Sequence, residues 1–598
     1  MSRFKLLLAG ILLFLFQNTS FAGNAISNLI TPVSYFIDHV KQLDDLKNNL
    51  TKYRQASIVG TSGIGKTQLA RTYAYENKDK YNVIWFFDCN LDMNHEFVKL
   101  AKQLNEKASA GLPEEPTQSK KAIMDYLKDK DNWLLVFDNL KIGSNWKVSD
   151  IVEWEHNGHV IFASQDKENI PSPIELAVFN KKDTTILASK LLENKNYVNF
   201  LVEGFGNYPI AIAQGAKLLN QIKGLDKEVY MKKIHQSTDQ IKLNIEQAIK
   251  ELKPGAISLL TKIALLNNQG FSKNLLKIVA DYPKSLDDDI YQLSKFILVS
   301  NIDAGESNPV FEMHDVIAQK IIEINGDNKN KSYLEEIISK LMNSIPKGLL
   351  EGYKFRSEKT ISENFEVILK NAEKYNLDIY KIAELKLHLL VQYISASDYY
   401  NSDILVRWFN KNDQEGKFKL LLMDNDKKRI YAGYLGLIGG YYKKYADYKE
   451  ALKYYTRAGE MFDSVKGYES YKLNIFYGLA GINISLGSIQ DAERNVTKLD
   501  EMLSSTTIDK GDISFIYMLK ARLFLIKGKY LEALEQVNDT VATFINSGVN
   551  PNDVLLSNTY LLKTEILNSL EKYQEAYAQA QQLYSMNKAK KKEDHEIF

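Results

Sequence analysis

Short unbroken apolar runs punctuate the first third of the chain. Ala56-Ser57-Ile58-Val59, Val83-Ile84-Trp85-Phe86-Phe87, Trp133-Leu134-Leu135-Val136-Phe137 and Val160-Ile161-Phe162-Ala163 have the length of strands buried on both faces. Helical segments lie between them. Strand and helix therefore alternate, which predicts a doubly wound parallel sheet. Further on, helical periodicity runs through Ile257 to Ala264, and the apolar runs Phe296 to Val299 and Val310 to Met313 flank the turn-rich Asp303-Ala304-Gly305-Glu306. This pair of runs predicts a hairpin wing.

From about residue 430 the pattern repeats. Tyr448-Lys449-Glu450-Ala451, Ile489-Gln490-Asp491-Ala492, Tyr530-Leu531-Glu532-Ala533 and Tyr573-Gln574-Glu575-Ala576 follow one template, their alanines 41, 41 and 43 residues apart. Twelve positions before the first three alanines stand Gly439, Ala480 and Ala521, small residues that let paired helices approach closely. The template resembles tetratricopeptide repeats, with a longer period. In such a solenoid the aromatic residue before each alanine is expected to pack the turn, and the concave face is the natural place for a peptide or protein ligand.

Composition narrows the function. The chain has 598 residues, 45% hydrophobic and 25% charged, with a formal net charge of +1. That balance excludes a largely disordered chain and a general nucleic-acid coat. Its one cysteine, Cys89, excludes an intramolecular disulfide and a cysteine-based zinc site. The run Lys588 to Lys592 reads as a solvated helix end or tail.

Residues 1–22 read as a secretory signal. Arg3 and Lys5 precede the apolar Leu6 to Phe16, and Ser20-Phe21-Ala22 offers a cleavage site before Gly23. The competing reading is an uncleaved anchor that holds the domains in the cytoplasm. An exported form would need delivery to a compartment with ATP, such as a host cell. No other segment reaches membrane-span length.

The chemistry concentrates at Gly60-Thr61-Ser62-Gly63-Ile64-Gly65-Lys66-Thr67, which fits G-x-x-x-x-G-K-[ST] between a strand and a helix. Gly63 and Gly65 let backbone N–H groups turn towards phosphate oxygens, and the helix that starts near Lys66 adds its positive end. In this pattern Lys66 faces the β and γ phosphates and Thr67 holds Mg²⁺. Gln68, the next residue, joins the candidate nucleotide contacts. Asp138 ends an apolar strand run, where an open α/β sheet places its ligands, and is the candidate Walker B acid. The bland alternative is an Asp that caps the following turn. Asn139 follows where an acid could polarise water, so slow hydrolysis at most is expected.

These residues resemble the NB-ARC branch of the STAND signalling ATPases. Gly206-Asn207-Tyr208-Pro209-Ile210-Ala211-Ile212 is similar to the family's G-x-P-x-A segment, and Phe311-Glu312-Met313-His314-Asp315 to its Met-His-Asp motif. The resemblance implies that Pro209 packs near the adenosine and that His314 reaches the β-phosphate of ADP from a winged-helix domain. Taken singly, Pro209 could simply start a helix and His314 could be a satisfied histidine beside a helix N-terminus. Two departures stand out: Gln165 replaces an arginine that senses the γ-phosphate, and Phe36-Ile37-Asp38-His39 only loosely echoes the adenine-framing segment. On the signal reading there is no room in front for an effector domain, so output is expected from elsewhere.

The expected organisation is a multidomain α/β plus α chain. It comprises a signal or anchor (1–22), a P-loop nucleotide-binding domain (23–175), a helical domain (176–245) and a winged-helix domain (246–325). A helical connector or degenerate repeats (326–428), TPR-like repeats (429–590) and a tail (591–598) complete it. The expected function is an ATP/ADP switch with Mg²⁺, weak turnover and nucleotide-dependent homo-oligomerisation, whose repeats take a protein or peptide. The alternatives are a repeat adaptor with a degenerate, structural nucleotide site and a winged-helix DNA-binding regulator. Neutral charge speaks against the latter.

Overall fold

The computed structural model describes residues 26–33, 40–91, 93–113, 116–141, 151, 156–168, 170–222, 224–268, 270–303, 308–345, 355, 359–395, 398–418, 425–463, 469–505, 510–549 and 554–596. The signal segment, Phe36 to His39 and the wing tip Ala304 to Glu306 lie outside them. The chain divides into two compact units, one of the residues up to Ser237 together with those from Glu593 on, and one running from Thr238 to Lys592.

The first unit is built on six parallel strands in the order β1-β3-β4-β5-β2-β6. They are β1 (Ile26–Ser27), β2 (Gln55–Val59), β3 (Val83–Asp88), β4 (Trp133–Leu140), β5 (His159–Ser164) and β6 (Pro173–Glu175). Helices α1 (Val40–Tyr53), α2 (Lys66–Glu76), α3 (Met93–Ala108) and α4 (Pro116–Leu127) cover the sheet. The period of two along β4 decides which helices go where. Leu134 and Val136 join Ile58, Ile84 and Ile161 in the core under α1 and α2, whereas Trp133, Leu135 and Phe137 join Phe87, Phe97 and Phe162 under α3 and α4. Phe137 stacks between Phe87 and Phe162, with centroids at 4.6 and 5.6 Å.

The four expected strand runs are four of the six strands. The edge strands β1 and β6 are two and three residues long, too short to leave a periodic signal. β1 is extended by a side chain. Asn28 Oδ1 accepts from the Phe86 N–H at 2.7 Å and Asn28 Nδ2 donates to the Phe86 carbonyl at 2.8 Å, which prolongs the ladder beyond Ser27. Beyond the sheet the unit turns helical and includes α5 (Pro209–Gln221).

In the second unit, α6 (Pro254–Ile263), α7 (Lys273–Val279) and α8 (Leu286–Lys295) accompany an antiparallel sheet of order β7-β9-β8. Its strands are β7 (Phe271–Ser272), β8 (Ser300–Asp303) and β9 (Val310–Glu312). The apolar run Phe296 to Val299 is not a strand. Phe296 caps α8, Ile297 takes φ 56°, and the Leu298 N–H returns to the Leu293 carbonyl at 3.1 Å. Its apolar side chains close the helix end into the core, so the strand starts only at Ser300. Helix α9 (Asp315–Ser344) breaks direction at Gly326, with φ 72° and ψ 165°.

Three further helices, Lys359–Lys374, Ile379–Ser395 and Tyr399–Gln414, lead into the repeats. These are helix pairs: α10 (Asn425–Lys444) with α11 (Tyr448–Asp463), α12 (Glu469–Ser485) with α13 (Ile489–Ser505), α14 (Lys510–Ile526) with α15 (Tyr530–Asn546), and α16 (Val554–Ser569) with α17 (Tyr573–Glu596). The template alanines Ala451, Ala492, Ala533 and Ala576 are all buried. A Cβ on Gly439 would lie 2.7 Å from the Tyr455 ring, so the small position is a contact point between paired helices. The template aromatics behave differently from expectation. Tyr530 and Tyr573 are 36% and 64% exposed at the starts of their helices, and the buried alanine one turn on does the packing.

Candidate nucleotide site

The loop Gly60 to Gly65 leaves β2 at the carboxyl end of the sheet and enters α2 at Lys66. Gly63 and Gly65 have φ 81° and 108°, a region where a side chain would be strained. Gly65 is the cap residue of α2 and provides no side-chain bond to the first-turn N–H groups, which are the groups that suit an anion. Ile64 is buried and anchors the loop in the core, while Thr61 is exposed and Ser62 half-buried. A Cβ at Gly60 would sit 2.7 Å from the Leu176 carbonyl oxygen.

Lys66 is 8% exposed, and its ammonium donates to the carbonyls of Gly60 and Thr61, both at 2.9 Å. The positive charge is thus held over the mouth of the loop. Thr67 Oγ1 donates to Asp138 Oδ2 at 2.7 Å, and the Asn139 N–H donates to Asp138 Oδ1 at 2.9 Å. Loop helix and central strand therefore meet at the hydroxyl and carboxylate that a magnesium ion would need. Because Asp138 bonds to the loop helix itself, turn capping does not exhaust its role.

The fit to a magnesium-bound nucleotide rests on that donor set. A hydroxyl, one carboxylate and phosphate oxygens with water satisfy a hard divalent ion, and a glycine loop with a buried ammonium suits phosphate. Among the described residues no cluster of three or more His, Cys, Asp or Glu forms a separate metal site.

Asn139 is turned away from this chemistry. It has φ 59° and its Nδ2 donates to Asp88 Oδ1 at 3.1 Å, so its amide serves the neighbouring strand end. The acids also act on Cys89, whose thiol burial pushes well up, helped by Asp88 and Asp138. Gln165 follows β5 and is exposed. Gln68 is engaged by the chain itself, its Oε1 accepting from the Val33 N–H at 3.0 Å.

Pro209 starts α5 and is half-buried. The residue before it reaches the loop: the hydroxyls of Tyr208 and Thr61 are 3.4 Å apart. Sequence reasoning singled out the proline and missed the tyrosine, whose contact spans 147 residues and has no local signal. His314 belongs to the second unit. It caps α9, with Nδ1 accepting from the Val316 N–H at 3.2 Å, and is exposed. That bond places the neutral ring's proton on Nε2.

Comparison with known proteins agrees with the loop geometry. Residues 39–195 match the NB-ARC domain. No curated protein matches the chain. Among solved structures, a Signal Transduction ATPase with Numerous Domains (STAND) protein with a tetratricopeptide repeat sensor, from Pyrococcus horikoshii, is similar. It has 14% identity and a TM-score of 0.38, with 95% of each chain covered. The apo quorum sensor NprR from B. thuringiensis also has 14% identity, with a TM-score of 0.33 over 63% of this chain and 88% of that one. Neither TM-score reaches 0.5, and the domain match is what identifies the front of the chain. Residues 39–195, on the sheet-borne part of this protein, match the NB-ARC domain, and helical TPR-like repeats follow.

Proposed function

We propose that the chain is a nucleotide-controlled signalling switch whose repeats receive a protein or peptide partner. The observation that carries this is the Thr67–Asp138 hydrogen bond of 2.7 Å beneath a loop already lined by Lys66. Gly63 and Gly65 would present backbone N–H groups to ADP or ATP, Lys66 its ammonium, and Thr67 and Asp138 their oxygens to Mg²⁺. Bound nucleotide would supply the charge that neutralises Lys66 and the loop amides. The helices and three-stranded sheet of residues 254–312 are read as a winged-helix domain.

Weak turnover fits the same site. Asn139 carries no base and its amide is taken by Asp88, so the residue that follows Asp138 cannot abstract a proton from water. A switch needs only differential affinity for two states, and Thr61 beside Tyr208 offers one element that exchange from ADP to ATP could disturb. The segment 1–22 is read as an export signal or anchor. Lys66→Ala should reduce ADP affinity at least tenfold in calorimetry, and unchanged affinity would contradict the proposal.

A further inference from the structure

Helices α10, α12 and α14, the first helices of three successive repeats, share a donor-rich spot. The Lys443 ammonium at the end of α10 lies 5.5 Å from the centroid of the Tyr477 ring on α12. It is 2.9 Å from the place a Cβ would take on Gly481, so the ammonium fits there because Gly481 has no side chain. Arg522 on α14 is exposed, and its charge acts on both Lys443 and the Tyr477 hydroxyl. Burial, with Arg522 adding to it, lowers the Lys443 ammonium to about 8.

Among the described residues no carboxylate lies within 4.0 Å of Lys443 or Arg522, although Lys520 on the same α14 pairs with Asp500 at 2.5 Å. Two cations and a phenol thus lie together with no carboxylate to balance them among the described residues, an arrangement that costs free energy until an anion arrives.

Packing of the repeats does not require these charges. One and two repeats before Arg522, at steps of 41 residues, the equivalent positions are Gly481 and Gly440. One and two repeats after Lys443 they are Ile484 and Leu525. The cations are therefore particular to this place on the solenoid. Beside them the half-buried Phe515 meets Tyr477 edge to face, with centroids at 6.1 Å, and forms an apolar shelf.

We propose that Lys443, Arg522 and Tyr477 bind the side-chain carboxylates of an acidic segment of a partner protein, with an adjacent apolar side chain on Phe515. This rests on the reading of the repeats as the partner-binding part of the switch. A carboxylate supplies the missing acceptors, and hydrogen bonds between ionised partners are the strong ones.

The test is calorimetry on the full-length chain with an N-acetylated, C-amidated peptide of alternating glutamate and leucine, against the same peptide with glutamine. The glutamate peptide should bind, weaken as salt rises, and lose at least tenfold in affinity with Lys443→Gln and with Arg522→Gln. The glutamine peptide should not bind. Arg522 is exposed, so its variant is expected to melt as the wild type does and to separate binding from folding. No binding of the glutamate peptide, equal binding by the variants, equal binding of the glutamine peptide, or displacement by inorganic phosphate at equal concentration would each overturn the site. ADP is titrated into the same samples. A failed peptide titration with intact ADP binding removes this site alone, and failed ADP binding removes the switch alone.

Discussion

Thr67 and Asp138 are 71 residues apart in sequence and 2.7 Å apart in space, hydroxyl to carboxylate. The bond joins the first turn of the loop helix to a central strand of the sheet, so the two groups that would hold a metal ion on the proposed reading already lie together. It also gives Asp138 two partners, since the Asn139 N–H takes its other oxygen.

Asp138→Asn keeps the size of the side chain and removes its charge. Affinity for ADP should then lose its dependence on Mg²⁺, with a fall of about tenfold or more, equivalent to about 1.4 kcal/mol. Titrations with Mg²⁺ and with a chelator measure it. A variant that still gains the full wild-type increment from Mg²⁺ would show that Asp138 is only a cap.

Acid should weaken the first unit through His159. The His159 Nδ1 and Tyr81 hydroxyl are 2.6 Å apart, and burial, then the charge of Arg54, lowers the imidazole to about 4. An unfolded histidine titrates near 6.5. Between these values the unfolded chain binds the extra proton, so the contribution is whole above about 6.5 and is lost as pH falls towards 4. His159→Gln should flatten this part of the stability profile, by about 1–3 kcal/mol at pH 4. Chemical denaturation at pH 7 and pH 4 checks it, and identical slopes for the two proteins would refute it.

Gly439→Ala places a methyl group 2.7 Å from the Tyr455 ring, closer than packed carbons tolerate. The expected cost is about 1–3 kcal/mol to the repeats, with ADP affinity unchanged. Thermal unfolding followed by circular dichroism reads the first and calorimetry the second. A neutral melt would mean that α10 and α11 can move apart freely.

What was legible in the chain was what repeats over short distances. The phosphate loop, the Asp138 strand and the four buried runs announce themselves within five to eight residues, and the template alanines recur on a fixed step. β1 and β6 did not, because strands of two and three residues carry no period. Phe296 to Val299 misled because a closed helix end buries the same apolar types as a strand. Tyr530 and Tyr573 look like packing residues only until the alanines beside them prove to fill the interface. The Tyr208–Thr61 approach and the grouping of Lys443 with Arg522 arise from tertiary folding alone.

The most direct measurement of the central claim is calorimetry on nucleotide-free protein with ADP and Mg²⁺, run beside Lys66→Ala. The account predicts a single-site exothermic isotherm for the wild type and its loss in the variant. Absence of heat in the wild type, or the same isotherm for both proteins, would contradict it.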